Sequence, residues 1–177
     1  LVMNSAALAA SIRRKIKKFP HGLIVEEFIP GLEVNVGLLG NPPYRVVGIS
    51  HIDYVRFPDL SPFLSYASKW DESSQEYKMI LPQVYADGRL DFLVDVTGIA
   101  RRAGEAAGCR GYFRVDMRER NGEFFVLDVN PNPDINTDSG FMRQASAAGL
   151  SYTEVVQDLI TAAVPDRLQA ADRTMPR

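Results

Sequence analysis

Two short stretches carry residue types able to do chemistry together: Arg114-Val115-Asp116 and Leu127-Asp128-Val129-Asn130-Pro131. Side chains two apart on a β-strand leave the same face, so Arg114 and Asp116 form one pair and Asp128 and Asn130 another. Between the stretches lies Asn121-Gly122, the strongest short hairpin signal in the sequence. Folding there brings the two pairs roughly opposite each other, with Val115, Leu127 and Val129 pointing into the core. One sheet face then carries two carboxylates, an amide oxygen and a guanidinium. Hard oxygen donors suit magnesium, which takes a few carboxylates together with phosphate oxygens, and an arginine fork bridges phosphate oxygens. The chemistry implied is the holding of a magnesium–triphosphate. The competing reading is a solvated face with cross-strand ion pairs. Four such groups at period two, with apolar residues strictly between, weigh against it.

Positioning these groups requires a sheet and helices to back it. Residues 4–18 set apolar side chains at helical spacing behind a capping Asn4 or Ser5, which predicts an amphipathic helix. Residues 23–28 read as a strand, interrupted by Pro30-Gly31, and 32–39 as a second. After a turn at Asn41-Pro42-Pro43, a third strand runs from about 44 to 52. Such a meander pairs antiparallel. Residues 54–79 mix Ser, Pro, aromatics and charge without a sustained period, and a loop of this length is more often a functional lid than a connector. A short strand near 79–82, a helix over 90–107, hairpin strands at 111–119 and 123–130, and helices at 140–148 and 151–163 follow, the last behind a capping Ser151. After Pro165 the chain reads as a polar tail. Hairpins with separate helices describe an α+β fold, not a doubly wound one.

The 177 residues suit one domain or two small lobes, and the 46% hydrophobic and 24% charged content is ordinary for a globular chain. The net charge of −2 is interspersed, leaving neither a basic stripe for nucleic acid nor an acidic tail. Arg13, Arg14, Lys15, Lys17 and Lys18 read as the solvated face of the first helix. A single cysteine, Cys109, excludes an internal disulfide and a thiolate metal site. It reads as a buried, inert thiol. No apolar run approaches the roughly 18 residues of a membrane span, and no signal-peptide pattern is present. The expectation is a cytoplasmic protein with neither nucleic-acid nor membrane partners. Gly98 and Gly104 fall in a predicted helix and match neither a Walker nor a Rossmann spacing.

Residues 111–117 (Gly-Tyr-Phe-Arg-Val-Asp-Met) and 125–133 (Phe-Val-Leu-Asp-Val-Asn-Pro-Asn-Pro) resemble the metal-binding segment of ATP-grasp ligases, specifically the D-alanine–D-alanine ligase branch. Residues 23–36 (Leu-Ile-Val-Glu-Glu-Phe-Ile-Pro-Gly-Leu-Glu-Val-Asn-Val) are similar to the family's hinge segment, which holds adenosine. With Ala-Gly-Leu-Ser-Tyr at 148–152, the likeness covers nearly all of 4–164. The resemblance implies an ATP-grasp fold whose antiparallel sheet is packed by helices and whose amino-terminal part is missing here. Residues 1–28 would be a remnant of the small nucleotide-lid subdomain, 29–164 the large subdomain with the metal site, and 165–177 the tail. Such a chain resembles a carboxy-terminal piece, inactive by itself.

The resemblance further implies ATP and Mg2+ (or Mn2+) as cofactors. Glu26 and the backbone of Ile29 would meet the adenine edge, and Glu33 would accept from the ribose hydroxyls. Asp116, Asp128 and Asn130 would hold the metal, while Arg114 and Lys69 act as catalytic cations on phosphate oxygens. Residues 66–70 (Tyr-Ala-Ser-Lys-Trp) are similar to the family's flap, where Lys69 would close on phosphate and Trp70 exclude water. The stretch 130–139 would lie at the substrate, through Asp134 and Ser139. The reaction implied joins a small-molecule carboxylate, an amino acid or small peptide, to an amine by way of an acyl phosphate. Three residues depart from the family pattern: Asp128 replaces a usual glutamate, Asp134 a glycine, and Glu27 a frequent lysine. A non-catalytic nucleotide- or metal-binding module of the same fold is the alternative. A homodimer would cover the helix and sheet edge the missing lobe leaves bare.

Overall fold

The computed structural model describes residues 1–52, 54, 62–79, 82–85 and 93–164. Strands β1 (Glu33–Leu39), β2 (Arg45–Ile52), β3 (Gln83–Val84), β4 (Tyr112–Arg120) and β5 (Glu123–Asn130) form one sheet in the order β3-β2-β1-β4-β5. Every pairing in it is antiparallel. Helices are α1 (Ser5–Lys15), α2 (Tyr66–Trp70), α3 (Gln75–Met79), α4 (Leu93–Ala106), α5 (Gly140–Ala147) and α6 (Tyr152–Ala163). The α+β expectation is met. Among the described residues no helix is long and apolar enough to cross a membrane.

The period of two in β1 and β4 sorts their side chains between the two faces of the sheet. Val34, Val36 and Leu38 of β1 join Phe113, Val115 and Met117 of β4 on one face, where Val96 and Ala100 of α4 cover them. A Cβ at Gly104 would collide with the Phe113 ring, so the glycine lets α4 sit down on the sheet.

The opposite face is divided. At one end Leu39, Val47, Phe141, Met142, Ala145 and Val155 make a second core beneath α5 and α6. Gly37 and Gly48, paired across β1 and β2, clear the space for α5. A Cβ on Gly48 would lie 2.8 Å from Gln144 Cβ and 3.1 Å from its backbone. Gln144 is fully buried and donates to the Asn35 carbonyl at 3.0 Å and to Ser50 Oγ at 2.8 Å. The other end of this face keeps polar side chains: Glu33, Asn35, Asp116 and Arg118.

Helix caps follow the sequence closely. Asn4 accepts from the Ala7 N–H at 2.8 Å, and Ser151 with Glu154 forms a full capping box at α6. The capping hydrogen bonds from Ser151 hold the Glu154 carboxyl below its ordinary pKa. Three expectations fail. Residues 23–28 form no strand; Ile24 and Val25 are exposed, and alternation without a neighbouring ladder makes no sheet. The described part of 54–79 is not simply loop, because α2 and α3 lie within it, capped by Ser65 and Ser74. Five-residue helices are too short to generate a readable period. The strand expected near 79–82 begins at Gln83, since Met79 ends α3; residues 80–81 lie outside the described ones. The first residues of the helix expected from 90, and the tail from 165, also lie outside them. The apolar stripe of α1 is present but buries none of its residues.

Gly48→Ala should therefore destabilise the protein by about 1–3 kcal/mol by forcing α5 off the sheet. Urea unfolding checks this, and an unchanged midpoint would show that α5 is not seated against Gly48.

Candidate functional site

The hairpin β4–β5 turns at Asn121 and Gly122, both at positive φ (55° and 82°), as a tight primed turn requires. Counting back from the turn, Arg120 pairs with Glu123, Glu119 with Phe124, Arg118 with Phe125 and Met117 with Val126. Continued unchanged, that count would set Leu127 against Asp116 and turn Asp128 toward the core with Val115. A register shift between Asp116 and Met117 absorbs the extra residue instead. Beyond it Asp116 faces Asp128, Val115 faces Val129, and Arg114 faces Asn130. The expected grouping of four polar residues is present, but Leu127 is not in the core. It belongs to the bulge and is half exposed.

Arg114 grips Asp116 with two bonds, Nε to Oδ1 at 2.7 Å and Nη2 to Oδ2 at 2.8 Å. Asn35 Nδ2 donates to the same Oδ1 at 2.9 Å. Burial, the largest influence on Arg114, opposes its charge. The bond to Asp116 and the charges of Asp116, Asp128 and Glu33 outweigh it, so the guanidinium pKa lies above its ordinary value. Directly opposed like charges destabilise a strand pair. Arg114 offsets part of the Asp116–Asp128 repulsion, and Asp128 has no ion pair among the described residues.

A cleft of about 550 Å³ opens beside this hairpin, lined among others by Glu26, Ile29, Glu33, Lys69, Asp116 and Asp128. Residues far apart in sequence thus converge on one cavity. Lys69 reaches it from the end of α2 and is exposed; the Trp70 side chain lies outside the described atoms. Arg114, Asn130, Asp134 and Ser139 do not line the cleft. Ser139 caps α5, accepting from the Met142 N–H at 3.3 Å, and donates to the Asp134 carbonyl at 2.6 Å. Asp134 accepts from the Asn136 N–H at 2.9 Å, and Asn130 Oδ1 from the Asn132 N–H at 3.0 Å. The 130–139 stretch is thus ordered by its own side-chain to backbone bonds, with Gly140 beside the Arg114 guanidinium.

Sequence reasoning passes over Arg118, which is 3% exposed and lines the same cleft. Its Nη1 donates to the Ile29 carbonyl at 2.7 Å, its Nη2 to the Pro62 carbonyl at 2.5 Å, and its Nε to Glu33 Oε2 at 3.2 Å. The guanidinium also lies 5.1 Å from the Phe28 ring centroid and 4.9 Å from that of Tyr54. Tyr54 donates to Glu33 Oε2 at 2.9 Å. Burial first, and then the Glu33 charge and bond, push the Tyr54 phenol far above its ordinary pKa, so it stays a donor. The signal that could have found Arg118 is the period of two, which puts it on the face of Arg114 and Asp116. Asn35 is missed for the same reason; it faces Asp116 across β1–β4.

The donor set accommodates a divalent cation of the hard-oxygen class. Two carboxylates oppose each other on one face with an amide oxygen one pair along, and the lining side chains count five carboxylates against two cations. Among the described residues no three His, Cys, Asp or Glu side chains converge, so ligand oxygens or water would complete the shell.

The architecture is that of the ATP-grasp fold. The chain superposes on a D-alanine–D-alanine ligase from Bacillus anthracis, solved in complex with ATP, with a TM-score of 0.69 and 18% identity over 97% of this chain and 50% of that one. It superposes on the VanG D-Ala:D-Ser ligase from Enterococcus faecalis with a TM-score of 0.67 and 26% identity, over 92% and 44% of the two chains. The family described as the D-ala D-ala ligase C-terminus matches residues 1–161, and the chain belongs to that family. A curated relative, the D-alanine–D-alanine ligase of Lactobacillus acidophilus, is 31% identical over 162 residues, 91% of this chain and 42% of its own length. The chain spans about half the length of the curated relatives it matches.

The two aspartates should separate in ligand-free stability. Asp116→Ala strips a largely buried guanidinium of its carboxylate and should cost about 2 kcal/mol. Asp128→Ala, at an exposed site without an ion pair, should change stability by less than about 0.5 kcal/mol. Equal losses on urea unfolding would mean Asp128 serves the fold.

Proposed function

We propose that this chain supplies the nucleotide- and metal-holding half of an ATP- and Mg-dependent carboxylate–amine ligase acting on an amino acid or small peptide. The observation that carries this reading is the convergence of Glu26, Ile29, Glu33, Lys69, Asp116 and Asp128 on one acidic cleft in a chain of this family. On this reading Glu26 and the Ile29 backbone border the adenine. The Ile29 carbonyl is already taken by Arg118, which leaves the N–H as the group for a base edge. Glu33 receives the ribose hydroxyls. The buried start of the large subdomain at Ile29 supports dividing 1–28 from 29–164, since α1 buries nothing.

Asp128 and Asp116, with Asn130, would hold the magnesium or manganese ion, whose chemistry is to neutralise phosphate charge. Arg114 holds Asp116 through two bonds and so aims it along the face, and its remaining nitrogen, Nη1, is the one to meet a phosphate oxygen. Lys69, exposed at the end of the short helix α2, adds a point charge to the same cleft. These side chains bind, orient and neutralise while a substrate carboxylate attacks the γ-phosphate to give an acyl phosphate and ADP; an amine then attacks the acyl carbon, forming the C–N bond as inorganic phosphate leaves. Positioning and electrostatics carry most of the catalysis in such transfers. Asp134 and Ser139 order the loop that leads to α5 and stand as the residues of the acid or amine site.

Calorimetric titration with a non-hydrolysable ATP analogue, with and without magnesium, tests this. Binding should strengthen with magnesium, and Asp128→Ala should lose at least about tenfold of that gain, equivalent to 1.4 kcal/mol. Magnesium-independent binding, unaltered in the variant, would overturn the metal assignment. Binding without ADP formation by the whole protein, whatever acids and amines are supplied, would favour a non-catalytic nucleotide-binding module.

A further inference from the structure

Arg118 is the most completely engaged buried cation in the described structure, yet the ligase reading gives it no task. All three guanidinium nitrogens donate, each to a different part of the chain: Ile29 before β1, Glu33 in β1, and Pro62 ahead of α2. The rings of Phe28 and Tyr54 take up its faces. With every nitrogen engaged, its effect on a ligand passes through the groups it holds.

Glu33 is the group that matters. Both hydrogen bonds it accepts among the described residues fall on Oε2, from Tyr54 and from Arg118. Oε1 is therefore the oxygen left to accept from a bound molecule, and Glu33 lines the cleft. A carboxylate with one oxygen doubly held has a fixed plane, and it presents the second oxygen without rotating. That is the arrangement to read a hydroxyl pair, because a rigid acceptor loses little entropy on binding and a missing hydroxyl leaves it unpaired. Arg118 also ties Ile29, which lines the cleft, and Pro62, next to the lining residue Phe63, to the same point.

We propose that Arg118 is the positioning residue that makes this cleft selective for a ribonucleoside, by fixing Glu33 with Oε1 presented to the vicinal diol of the sugar. The inference rests on the nucleotide reading given above and adds to it the residue that sets sugar selectivity.

The test is competition of ATP against 2′-deoxy-ATP for the cleft, read by displacement of a fluorescent ATP analogue in the presence of magnesium. The wild-type chain should prefer ATP by about tenfold, the worth of one hydrogen bond to a charged acceptor. Arg118→Met should bring that ratio close to one, and Arg118→Lys, which keeps the charge but not the fork, should restore only part of it. Tyr54→Phe removes the other bond to Oε2 and should lower the ratio as well, which keeps the test open if Arg118→Met does not fold. An unchanged ratio in a folded Arg118→Met, or in Tyr54→Phe and Arg118→Lys together, overturns the inference while leaving nucleotide binding intact. Failure of the wild type to bind either nucleotide overturns the nucleotide reading and this inference with it.

Discussion

The whole polar face depends on one residue that does not pair. In a hairpin the turn dictates which residues oppose each other, and a slip of one exchanges the two faces of a strand. The turn at Asn121-Gly122, taken alone, would send Asp128 and Asn130 to the core side with Val115. The bulge at Leu127 reverses the facing of the last three residues of β5, so that two carboxylates, an amide and a guanidinium share a surface. The exposed Leu127 is the consequence. An apolar side chain left half in solvent is a modest penalty, whereas a carboxylate turned into the core beside Val115 would be a severe one.

The same sheet face must also carry a helix, and glycine divides the two tasks. Gly37 and Gly48 let α5 descend onto one end, while the larger polar residues Asn35 and Glu33 occupy the other. The boundary between them is a chain of bonds. Gln144 in α5 holds the Asn35 carbonyl, the Asn35 amide holds Asp116, and Asp116 is locked to Arg114. Packing of the helix is thereby coupled to the aim of a carboxylate in the cleft, and Ser139, which caps α5, ties the loop after Asn130 to the same helix.

Much of this is legible in the order of residues alone. The Asn-Gly turn, a cap at Asn4 or Ser5 (it is Asn4), the capping Ser151, and the strand period expected over 111–119 and observed over Tyr112–Arg120 each rest on a local rule, and each is found. What stays hidden depends on partners distant along the chain. Residues 23–28 alternate like a strand, but alternation states only which side could be buried, and no neighbouring strand pairs with them among the described residues. The bulge at Leu127 has no glycine to announce it. Arg118 can be placed on the polar face by counting. That Phe28, Ile29, Tyr54 and Pro62 surround it requires the chain to be folded, since those contacts span 56 to 90 positions.

The charges of the cleft fall into two kinds, and burial separates them. Arg118 with Glu33, and Arg114 with Asp116, are largely withdrawn from water and paired with each other. Removing either member of such a pair strands a charge in a poor solvent, so these residues hold the site's shape. Asp128, Glu26 and Lys69 are exposed and lie along the cleft without pairing to one another, so the fold gains little from them. Exposed charges that face a cavity without neutralising each other are the ones whose free energy changes most when a charged ligand arrives. The two aspartates that face each other beside the bulge divide along that line, Asp116 held by Arg114 and Asp128 without an ion pair among the described residues.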